Sequence, residues 1–461
     1  MMRSMFSGVS GLRAHQLKMD TIGNNIANVN TVGYKSQRAT FQEVFNQTIR
    51  GAGSAQEGKG GTNPQQVGLG ISLSSIDTFH IRGAVQRTDN LTDLAVNGDG
   101  FFILSNSDDG MSRSYTRAGN FSLDETGNLV ASNGYKVLGY MMDQTTNTLK
   151  SQLEGLKISK AEMVAAKATK DAGFEGNLDN QIARLSANPT FAAGAIVPPA
   201  GAKFWETTNT VYDSLGGKHT LKYTFFRGID ENGSTASADA TDSDWGVTIY
   251  DQDEKKYYNG NDDPKATMNT TDVPTAYTEN LFHLNFGVDG IMTAASENGG
   301  KVKLKVPTKN GSSPIDIDID FSKLTQFANE SNAAVTSTDG YPQGSLDTFS
   351  IGPTGEISGI FTNGMSKIIG QVALSVFKNP AGLEKTSENM YQVTPNSGDP
   401  ITGVPGSSGL GSINSGTLEM SNVDISNEFA EMISTQRGFQ ANSRIITTSD
   451  EMLQELVNLK R

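Results

Sequence analysis

An apolar stripe of helical period lies at each end of the chain, and no other feature limits the fold as strongly. Near the N-terminus the spacing is three and four residues, with Gln16 at the one polar place. That stripe consists of Met5, Val9, Leu12, Met19, Ile22, Ile26 and Val29. Near the C-terminus a seven-residue repeat consists of Ile425, Phe429, Met432, Phe439, Ile446, Leu453 and Val457, interrupted by Gln436, Ser443 and Asp450.

Both stripes need a cover, because isolated helices of this length are marginally stable in water. The cover is the other terminus, the rest of the chain or neighbouring copies. A pair of ordinary helices packed on a globular domain stays open as an alternative. Membrane anchoring is disfavoured, since the polar face of the C-terminal helix mixes both charge signs. Asp424 or Ser426 is expected to cap that helix, and Lys460 and Arg461 suit its opposite end.

The residue pattern in the long middle of the chain predicts β-strands. Leu94 to Val96 and Phe101 to Leu104 are short apolar runs separated by Asn97-Gly98-Asp99-Gly100, which predicts a turn between strands. Strict alternation in Lys301 to Val306 and Ile315 to Phe321 predicts a hairpin with three lysines opposite three aspartates. One stretch, Ser159 to Lys170, is compatible with a short helix.

The predicted fold is mainly β with terminal α-helices (α+β), in an elongated, multi-domain subunit. The two helices pair at one end, and β-rich domains, one inserted in another, form the other end. The expected domains are a terminal helical coiled-coil domain (1–30 and 422–461), an extended connector (31–70 and 394–421), a β-rich inner domain (71–145 and 337–393) and an inserted β-rich outer domain (146–336).

Composition excludes several classes of function. A net charge of -13 disfavours nucleic acid, whose phosphates would be repelled. The apolar runs are shorter than the roughly 18 residues of a membrane-spanning helix, and no secretory leader is expected. Without cysteine there is no disulfide and no thiolate nucleophile. We therefore expect a soluble chain that is not inserted in a membrane.

No local motif predicts an enzyme, a cofactor or a metal. Gly53 to Gly58 followed by Lys59 copies most of a phosphate-binding loop, but Gly60 stands where Ser or Thr should hold magnesium. The four histidines, His15, His80, His219 and His283, show no ligand spacing. The acidic groups that resemble calcium ligands are Asp239, Asp242 and Asp244, Asp262 with Asp263, and Asp316 with Asp318. Such groups are usually only solvated.

Three sets of residues, at the two ends of the chain and in the first β block, form specific motifs. The N-terminal set includes Asn24, Asn25, Ala27, Asn28, Gly33, Tyr34 and Lys35. The set in the first β block includes Gly98, Gly100, Phe101, Arg117 and Gly119. The set near the other end includes Asn422, Val423, Asp424, Gln436 and Arg437. These motifs resemble those of the flagellar axial protein family. The large insert is similar to that of the hook branch of the family, whereas the rod branch tends to be shorter.

This resemblance implies a structural subunit of the bacterial flagellar hook, an extracellular homopolymer in which terminal helices line a curved tube. The tube is expected to act as a flexible universal joint between rod and filament. Implied partners are other copies, rod proteins, hook-filament junction proteins, the hook cap and the flagellar type III export apparatus. In the free monomer both termini are expected to be disordered.

Two alternatives remain. One is a distal rod or junction component of the same assembly, which the long loop from Asn46 to Gln66 favours and the insert disfavours. The other, from a different class, is a secreted carbohydrate-binding or hydrolytic β-domain protein. It would need paired carboxylates in a cleft beside aromatics such as Trp205, Trp245, Tyr257 or Tyr258, and the sequence shows no such pairing.

Overall fold

The chain divides into two compact units in a computed structural model. The model describes residues 2–54, 57–58, 60–107, 110–143, 146, 148–185, 190–192, 195–197, 203–228, 243–253, 256–258, 282–293, 299–306, 308, 311–407 and 409–459. Unit 1 comprises Met1–Lys160, Thr348–Ile360 and Ser366–Arg461, and unit 2 comprises Ala161–Asp347 and Phe361–Met365. Unit 1 therefore holds both ends of the chain.

Strands dominate both units, and their bounds follow in chain order. The first are β1 Gln37–Glu43, β2 Asn46–Arg50, β3 Gln65–Gly68, β4 Ile71–Thr78, β5 Val85–Arg87, β6 Leu94–Asn97, β7 Phe101–Ser105, β8 Arg113–Thr116, β9 Phe121–Leu123, β10 Leu129–Ala131, β11 Lys136–Asp143 and β12 Thr148–Gly155. Next are β13 Met163–Val164, β14 Asp171–Asp179, β15 Thr190–Ala192, β16 Ala195–Val197, β17 Trp205–Tyr212, β18 Lys218–Arg227, β19 Ser243–Asp251, β20 Lys256–Tyr258, β21 Phe282–Phe286, β22 Lys301–Val306, β23 Ile315–Phe327 and β24 Ala334–Thr338. The last are β25 Gly344–Ile351, β26 Glu356–Phe361, β27 Ser366–Val372, β28 Leu374–Val376, β29 Glu384–Lys385, β30 Met390–Gln392, β31 Ile401–Gly403, β32 Ser412–Ser415 and β33 Thr417–Glu419.

Two long helices, both in unit 1, are the only α-helices of the described residues. They are α1 Met2–Ala27 and α2 Ile425–Asn458. The Asp424 carboxylate caps α2 by accepting from the backbone N–H groups of Ser426 and Asn427. Of the two predicted caps, Asp424 and Ser426, it is therefore Asp424 that caps the helix. Lys460 and Arg461 lie outside the described residues. The predicted class, mainly β with terminal helices, is confirmed.

The β body of unit 1 is a sheet of antiparallel pairs in the order β26-β27-β11-β7-β8-β30-β29. Its core is aromatic: Phe101 and Tyr115 each contact Phe377 edge to face, at ring-centroid distances of 5.7 and 4.8 Å. β33 pairs with β5 and β32 pairs with β6, so the segment leading into α2 is hydrogen-bonded to the start of the body. The body thus holds the connector that leads into α2.

Unit 2 contains a four-stranded sheet, β22-β23-β14-β24, and a five-stranded sheet in which β17-β18-β19-β20 is joined by β21 on β19. One hydrophobic cluster takes side chains from both sheets, among them Phe174, Phe225, Trp245 and Phe321. The Phe174 ring lies 4.7 Å from that of Tyr223 and 4.7 Å from that of Phe321. The two sheets therefore enclose a common core.

Structure and sequence agree on the lysine-aspartate hairpin and disagree on a helix. β22 pairs with β23 so that Lys301, Lys303 and Lys305 lie opposite Asp320, Asp318 and Asp316, and this prediction is confirmed. The helix suggested for Ser159 to Lys170 is wrong. Met163 pairs with Ser345 in a short ladder, because tertiary pairing overrides the helix propensity of the segment.

Part of the long loop from Asn46 to Gln66 forms a two-stranded ribbon. β2 pairs with β3, and an isolated bridge joins Gly53 to Thr62, so strand pairing holds the described part of this loop. Lys59, of the phosphate-loop look-alike, lies outside the described residues. Within the described part, no helix is long and apolar enough to cross a membrane.

Candidate assembly site

The two helices pack against each other antiparallel, through small residues. A Cβ atom at Gly8 would lie 3.3 Å from Cγ1 of Ile446, and one at Gly11 would lie 2.7 Å from Nδ2 of Asn442. A Cβ at Gly438 would lie 2.7 Å from Cε1 of His15. The absence of side chains at these glycines leaves room for the side chains of Ile446, Asn442 and His15 on the facing helix.

The rest of this seam is largely polar. Lys18 Nζ lies 3.2 Å from Oε2 of Glu431. Nearer the body, Nδ2 of Asn25 donates to Oε1 of Glu428 at 2.9 Å. Thr435 and Ser449 of α2 are buried. Burial raises the pKa of the Glu428 carboxyl, while the hydrogen bond from Asn25 opposes that change. The α1 seam therefore runs through Gly8, Gly11, His15, Lys18, Ile22 and Asn25 at alternating spacings of three and four.

The apolar stripe of α2 lies largely outside this seam. Met432, Ile446 and Leu453 are half-buried. Four predicted stripe residues are exposed: Ile425 by 44%, Phe429 by 49%, Phe439 by 37% and Val457 by 67%. Ile433, Ile445 and Met452 are exposed as well. A single chain therefore leaves most of the large apolar side chains of α2 in contact with water.

The α1 stripe is better covered. Ile22 is buried, and Met5, Leu12, Met19, Ile26 and Val29 are half-buried, whereas Val9 is exposed. Phe6 and Leu17, outside the predicted stripe, are also exposed. Both segments are paired helices in this single chain, which differs from the disorder expected for the free monomer. The small seam explains this, because it gives each helix a partner within one molecule.

A hydrogen-bond cluster around Asn25 joins the helix pair to the body. The buried amide of Asn25 donates to the Gln37 carbonyl at 2.8 Å and accepts from the Gln37 N–H at 3.0 Å. Its oxygen also accepts from the Tyr34 hydroxyl at 3.1 Å. Burial and the nearby charge of Glu428 raise the pKa of Tyr34 to about 12, so the phenol stays protonated and remains a donor.

Three fully or almost fully buried charges lie beside this cluster. Lys35 Nζ is 2.7 Å from Oε1 of Glu419, and Nη1 of Arg117 is 3.4 Å from Oε2 of the same carboxylate. Asn422 lies next to them, accepting from the N–H of Ser36 at 2.8 Å and donating to the carbonyl of Phe79 at 2.9 Å. These contacts connect the N-terminal connector, the body and the C-terminal connector.

Comparison with known proteins supplies the identity. Four family models match: Flagella basal body rod protein (residues 5–35), Flagellar hook protein FlgE/F/G D1 domain (95–166), Flagellar basal body protein FlaE D2 domain (177–341) and Flagellar basal body rod FlgEFG protein C-terminal (414–459). The flagellar hook proteins FlgE of Borreliella burgdorferi and Treponema pallidum are 38% and 37% identical, each over 100% of both chains. The chain belongs to the flagellar hook protein family.

Two further similarities complete the comparison. The flagellar basal-body rod protein FlgG of Bacillus subtilis is 30% identical over 100% of both chains. The crystal structure of the flagellar hook protein FlgE2 of Helicobacter pylori covers 73% of this chain and 100% of its own, with 18% identity and a TM-score of 0.47. As a hook family member, the chain is a structural subunit of the bacterial flagellar hook, an extracellular appendage, and the family implies assembly into a homopolymer.

The motif residues of this hook subunit fall into three groups. The first group lies where the helix pair meets the body, in or beside the Asn25 cluster and the buried charges, and consists of Asn24, Asn25, Tyr34, Lys35, Arg117, Asn422 and Asp424. Gly33, Gly98, Gly100, Gly119 and Phe101 belong to the body or its contact with the connector. Ala27, Asn28 and half-buried Val423 flank the helix ends, and Gln436 and Arg437 are exposed on α2.

Gly33 shows why a glycine is required at the connector. Its φ is +68°, which side-chain-bearing residues rarely adopt, and a Cβ there would lie 2.6 Å from the backbone N of Ala118. Its own N–H donates to the carbonyl of Glu419 at 2.8 Å. The N-terminal connector can therefore lie directly on the body of the hook subunit.

Sequence reasoning assigned no contact to Glu419 or to the seam residues Gly8, Gly11, Thr435, Gly438 and Asn442. Hydrophobic periodicity does not detect small or polar contacts, although the spacing of Gly8, Gly11, His15 and Lys18 was visible in the sequence. Among the described residues, no group of three His, Asp or Glu side chains is suited to a metal ion. The acidic groups at 239–242 and 262–263 lie outside the described residues.

Proposed function

We propose that this hook subunit polymerises into a curved helical tube by covering the exposed apolar side chains of its terminal helices with neighbouring copies. The tube acts as a flexible universal joint that transmits torque from rod to filament. The stripe residues of α1 and α2 are the proposed subunit-interaction residues.

One observation carries this proposal: glycines and polar residues make most of the contact between the helices, while most of the large apolar side chains of α2 are exposed. Phe429 and Ile433 of α2 are 49% and 59% exposed. Covering a half-exposed side chain of this size contributes about 1 kcal/mol. Several such residues on each subunit, repeated along a polymer, amount to a strong drive for association. A helix pair designed to pack only on its own molecule would place them in the seam.

The polar positions that interrupt the stripes have a separate role in the proposal. Gln16, Gln436 and Asp450 are all exposed in the single chain. Because they fall at stripe positions, they set the register between neighbouring helices or face the lumen of the tube. They lower the apolar area of the contact and raise its specificity.

We propose that unit 2 is the inserted outer domain, which the sequence predicts over residues 146–336, and that it tunes the shape and stiffness of the tube. The two ends of its longer segment, Ala161–Asp347, are close together, since the N–H of Leu346 donates to the carbonyl of Glu162 at 3.2 Å. Replacing residues 163–345 by a short glycine linker should therefore leave a chain that still polymerises, with altered curvature or stiffness. Electron microscopy of the resulting polymers measures this.

Ending the chain at Asp424 tests the helix account directly. This truncation removes α2 but keeps Glu419 and Asn422, which hold the connector on the body. We expect a folded β body that forms no tubes under conditions in which the full chain does. The deletion of residues 163–345 is the matched control, because it removes far more of the chain. Tubes formed by the truncated chain would contradict the proposal.

The proposed partners beyond other copies are rod proteins, hook-filament junction proteins, the hook cap and the type III export apparatus. A position in the distal rod is not favoured, because the rod protein FlgG is 30% identical whereas two hook proteins reach 38% and 37% over the same full length. Immunogold labelling of isolated flagella separates the two, since label on the curved segment outside the cell supports the hook and label within the basal body supports the rod.

A further inference from the structure

The buried charge cluster of unit 1 brings together three segments that are far apart in the chain. Lys35 and Glu419 are separated by 384 positions, and Arg117 and Glu419 by 302. The side chains of Lys35 and Glu419 are 0% exposed, and that of Arg117 is 3% exposed. Lys35 follows α1, Arg117 belongs to the body, and Glu419 ends the last strand before α2.

Both oxygens of the Glu419 carboxylate are used. Oε1 accepts from Lys35 Nζ at 2.7 Å and from the Gly83 N–H at 3.0 Å, and Oε2 accepts from Arg117. The second contact of Lys35 is the Ile81 carbonyl at 2.7 Å. Arg117 also donates to the carbonyl of Gly98 at 3.0 Å and lies over the ring of Phe101. The side chains of the cluster therefore contact the backbone of two separate segments, one at Ile81 and Gly83 and the other at Gly98.

The charges in this cluster depend on one another. Burial lowers the pKa values of Lys35 and Arg117, and in both cases the Glu419 carboxylate is the main opposing influence. Removing that single negative charge leaves two buried cations without their counter-ion. Breaking a buried pair in this way is far more disruptive than removing an exposed one.

We propose that Glu419 is a positioning residue that latches the helix pair to the body. The carboxylate arrives with the C-terminal connector and closes on a lysine from the N-terminal connector, so neither helix has a defined position until both connectors have docked. Asn422 and the Asp424 cap follow within five residues, and the Asn25 cluster completes the contact on the α1 side. This inference rests on the proposed function insofar as the position of the helices matters for a tube.

The test is Glu419→Gln in the full chain, with amide hydrogen exchange measured segment by segment on the monomer. We expect exchange in α1 and α2 to rise at least about tenfold, while β7 in the body and β18 in unit 2 keep wild-type protection. Asp89→Asn is the matched control. It removes an exposed pair with Arg87, 2.5 Å apart and next to β5, and should change nothing.

Charge dependence is tested by adding Lys35→Met to Glu419→Gln. Because the double variant buries one unpaired cation instead of two, its helices should be better protected than those of Glu419→Gln alone. Wild-type helix protection in Glu419→Gln overturns the latch. An equal loss of protection in β7 also overturns it, because Glu419 would then be an ordinary stabilising residue. Strict additivity of the effects of the two substitutions on helix protection in the double variant overturns it as well.

The same variants are then examined under assembly conditions by electron microscopy. If the wild-type chain forms no tubes, the proposed function fails while the exchange result on the latch still stands. If the wild-type chain forms tubes and Glu419→Gln forms tubes of the same curvature, the latch fails and the proposed function stands. Loss of tubes or altered curvature in Glu419→Gln, with normal tubes from Asp89→Asn, supports the latch.

Discussion

The core of unit 2 and the helix pair of unit 1 place their large apolar residues in opposite ways. In unit 2, Trp245, Phe174 and Phe225 are fully buried between two sheets. In the helix pair, glycine, threonine and asparagine form the contact while Phe429, Ile433 and Val457 remain exposed. The first region has satisfied its hydrophobic surface within one chain, and the second has not.

This difference separates what holds one subunit together from what holds subunits to each other. A seam of small residues gives close backbone approach but little buried apolar area, so it defines geometry more than it supplies stability. The large residues left outside then supply the free energy of association. Changes inside unit 2 should affect the subunit alone, and changes on the outer face of α2 should affect the polymer alone.

The largest expected effect is that of Trp245→Ala in unit 2. A cavity of this size in a closed core costs about 3 to 5 kcal/mol of unfolding free energy. Both tryptophans of the chain, Trp205 and Trp245, lie in unit 2, so the fluorescence of the remaining Trp205 reports unfolding of this unit in urea. Leu215→Ala, at an exposed site of the same unit, is the control and should change stability by less than about 0.5 kcal/mol.

The contrast between the core of unit 2 and the helix pair would be wrong if Trp245→Ala also abolished tube formation under conditions in which unit 2 is still folded. That outcome would mean that the core of unit 2 serves assembly as well as its own stability. Electron microscopy at a urea concentration below the unfolding transition decides the question.

A second effect, of about 3 kcal/mol, concerns pH and the body of unit 1. Burial, together with the charges of Lys35 and Arg117, lowers the pKa of His80 to about 4. Because its pKa in the unfolded chain is higher, near 6.5, the neutral ring contributes stability above pH 6.5 that is lost as pH falls towards 4. Urea unfolding of unit 1 followed by circular dichroism should show this loss.

His80→Gln removes the titration and keeps a neutral N–H donor. The variant should show a flatter pH profile between pH 6.5 and 4 than the wild-type chain, although its stability at pH 7 is lower because the ring contacts with Phe101 and Tyr391 are lost. An unchanged slope in this window would show that other groups cause the acid sensitivity.

The same contrast explains what could be predicted from the sequence. Alternation in Lys301 to Val306 fixed both faces of the hairpin, since a strand with one buried face tolerates only one register. The helix stripes predicted helices correctly but not their seam. Periodicity weights large apolar residues, whereas Gly11, His15 and Asn442 make the contact.

Long-range polar contacts could not be predicted from the sequence either. Nothing local to Glu419 shows that it meets Lys35, because the contact depends on the pairing of β33 with β5. The segment Ser159 to Lys170 failed for a related reason. Its alanine and lysine residues favour a helix, but helix propensity yields to tertiary context, and the pairing of Met163 with Ser345 decided the outcome.

On the outer face of α2, Phe429→Ser and Ile433→Ser should weaken the polymer and leave the monomer unchanged. Each residue is about half exposed already, so each loses about 1 kcal/mol of contact per subunit in the tube. The concentration of free subunit at equilibrium with tubes should rise roughly fivefold for each substitution. Sedimentation of tubes from free subunits measures it, and Ser434→Ala, at an exposed polar site of the same helix, is the control. A lower melting temperature of the monomer would instead place these residues in an intramolecular contact.

The smallest expected effect concerns the seam itself, through two alanine substitutions of opposite sign. Gly23 of α1 has open space where a Cβ would be, so Gly23→Ala should stabilise the helix pair by up to about 1 kcal/mol through helix propensity. Gly438→Ala gains the same propensity but drives a methyl group against the His15 ring, so the ring must leave its place in the seam and the pair is weakened. Amide exchange in α1 should therefore slow for the first variant and accelerate for the second. If both variants slow exchange, the close approach at Gly438 is not needed, and the small seam does not define the geometry of the pair.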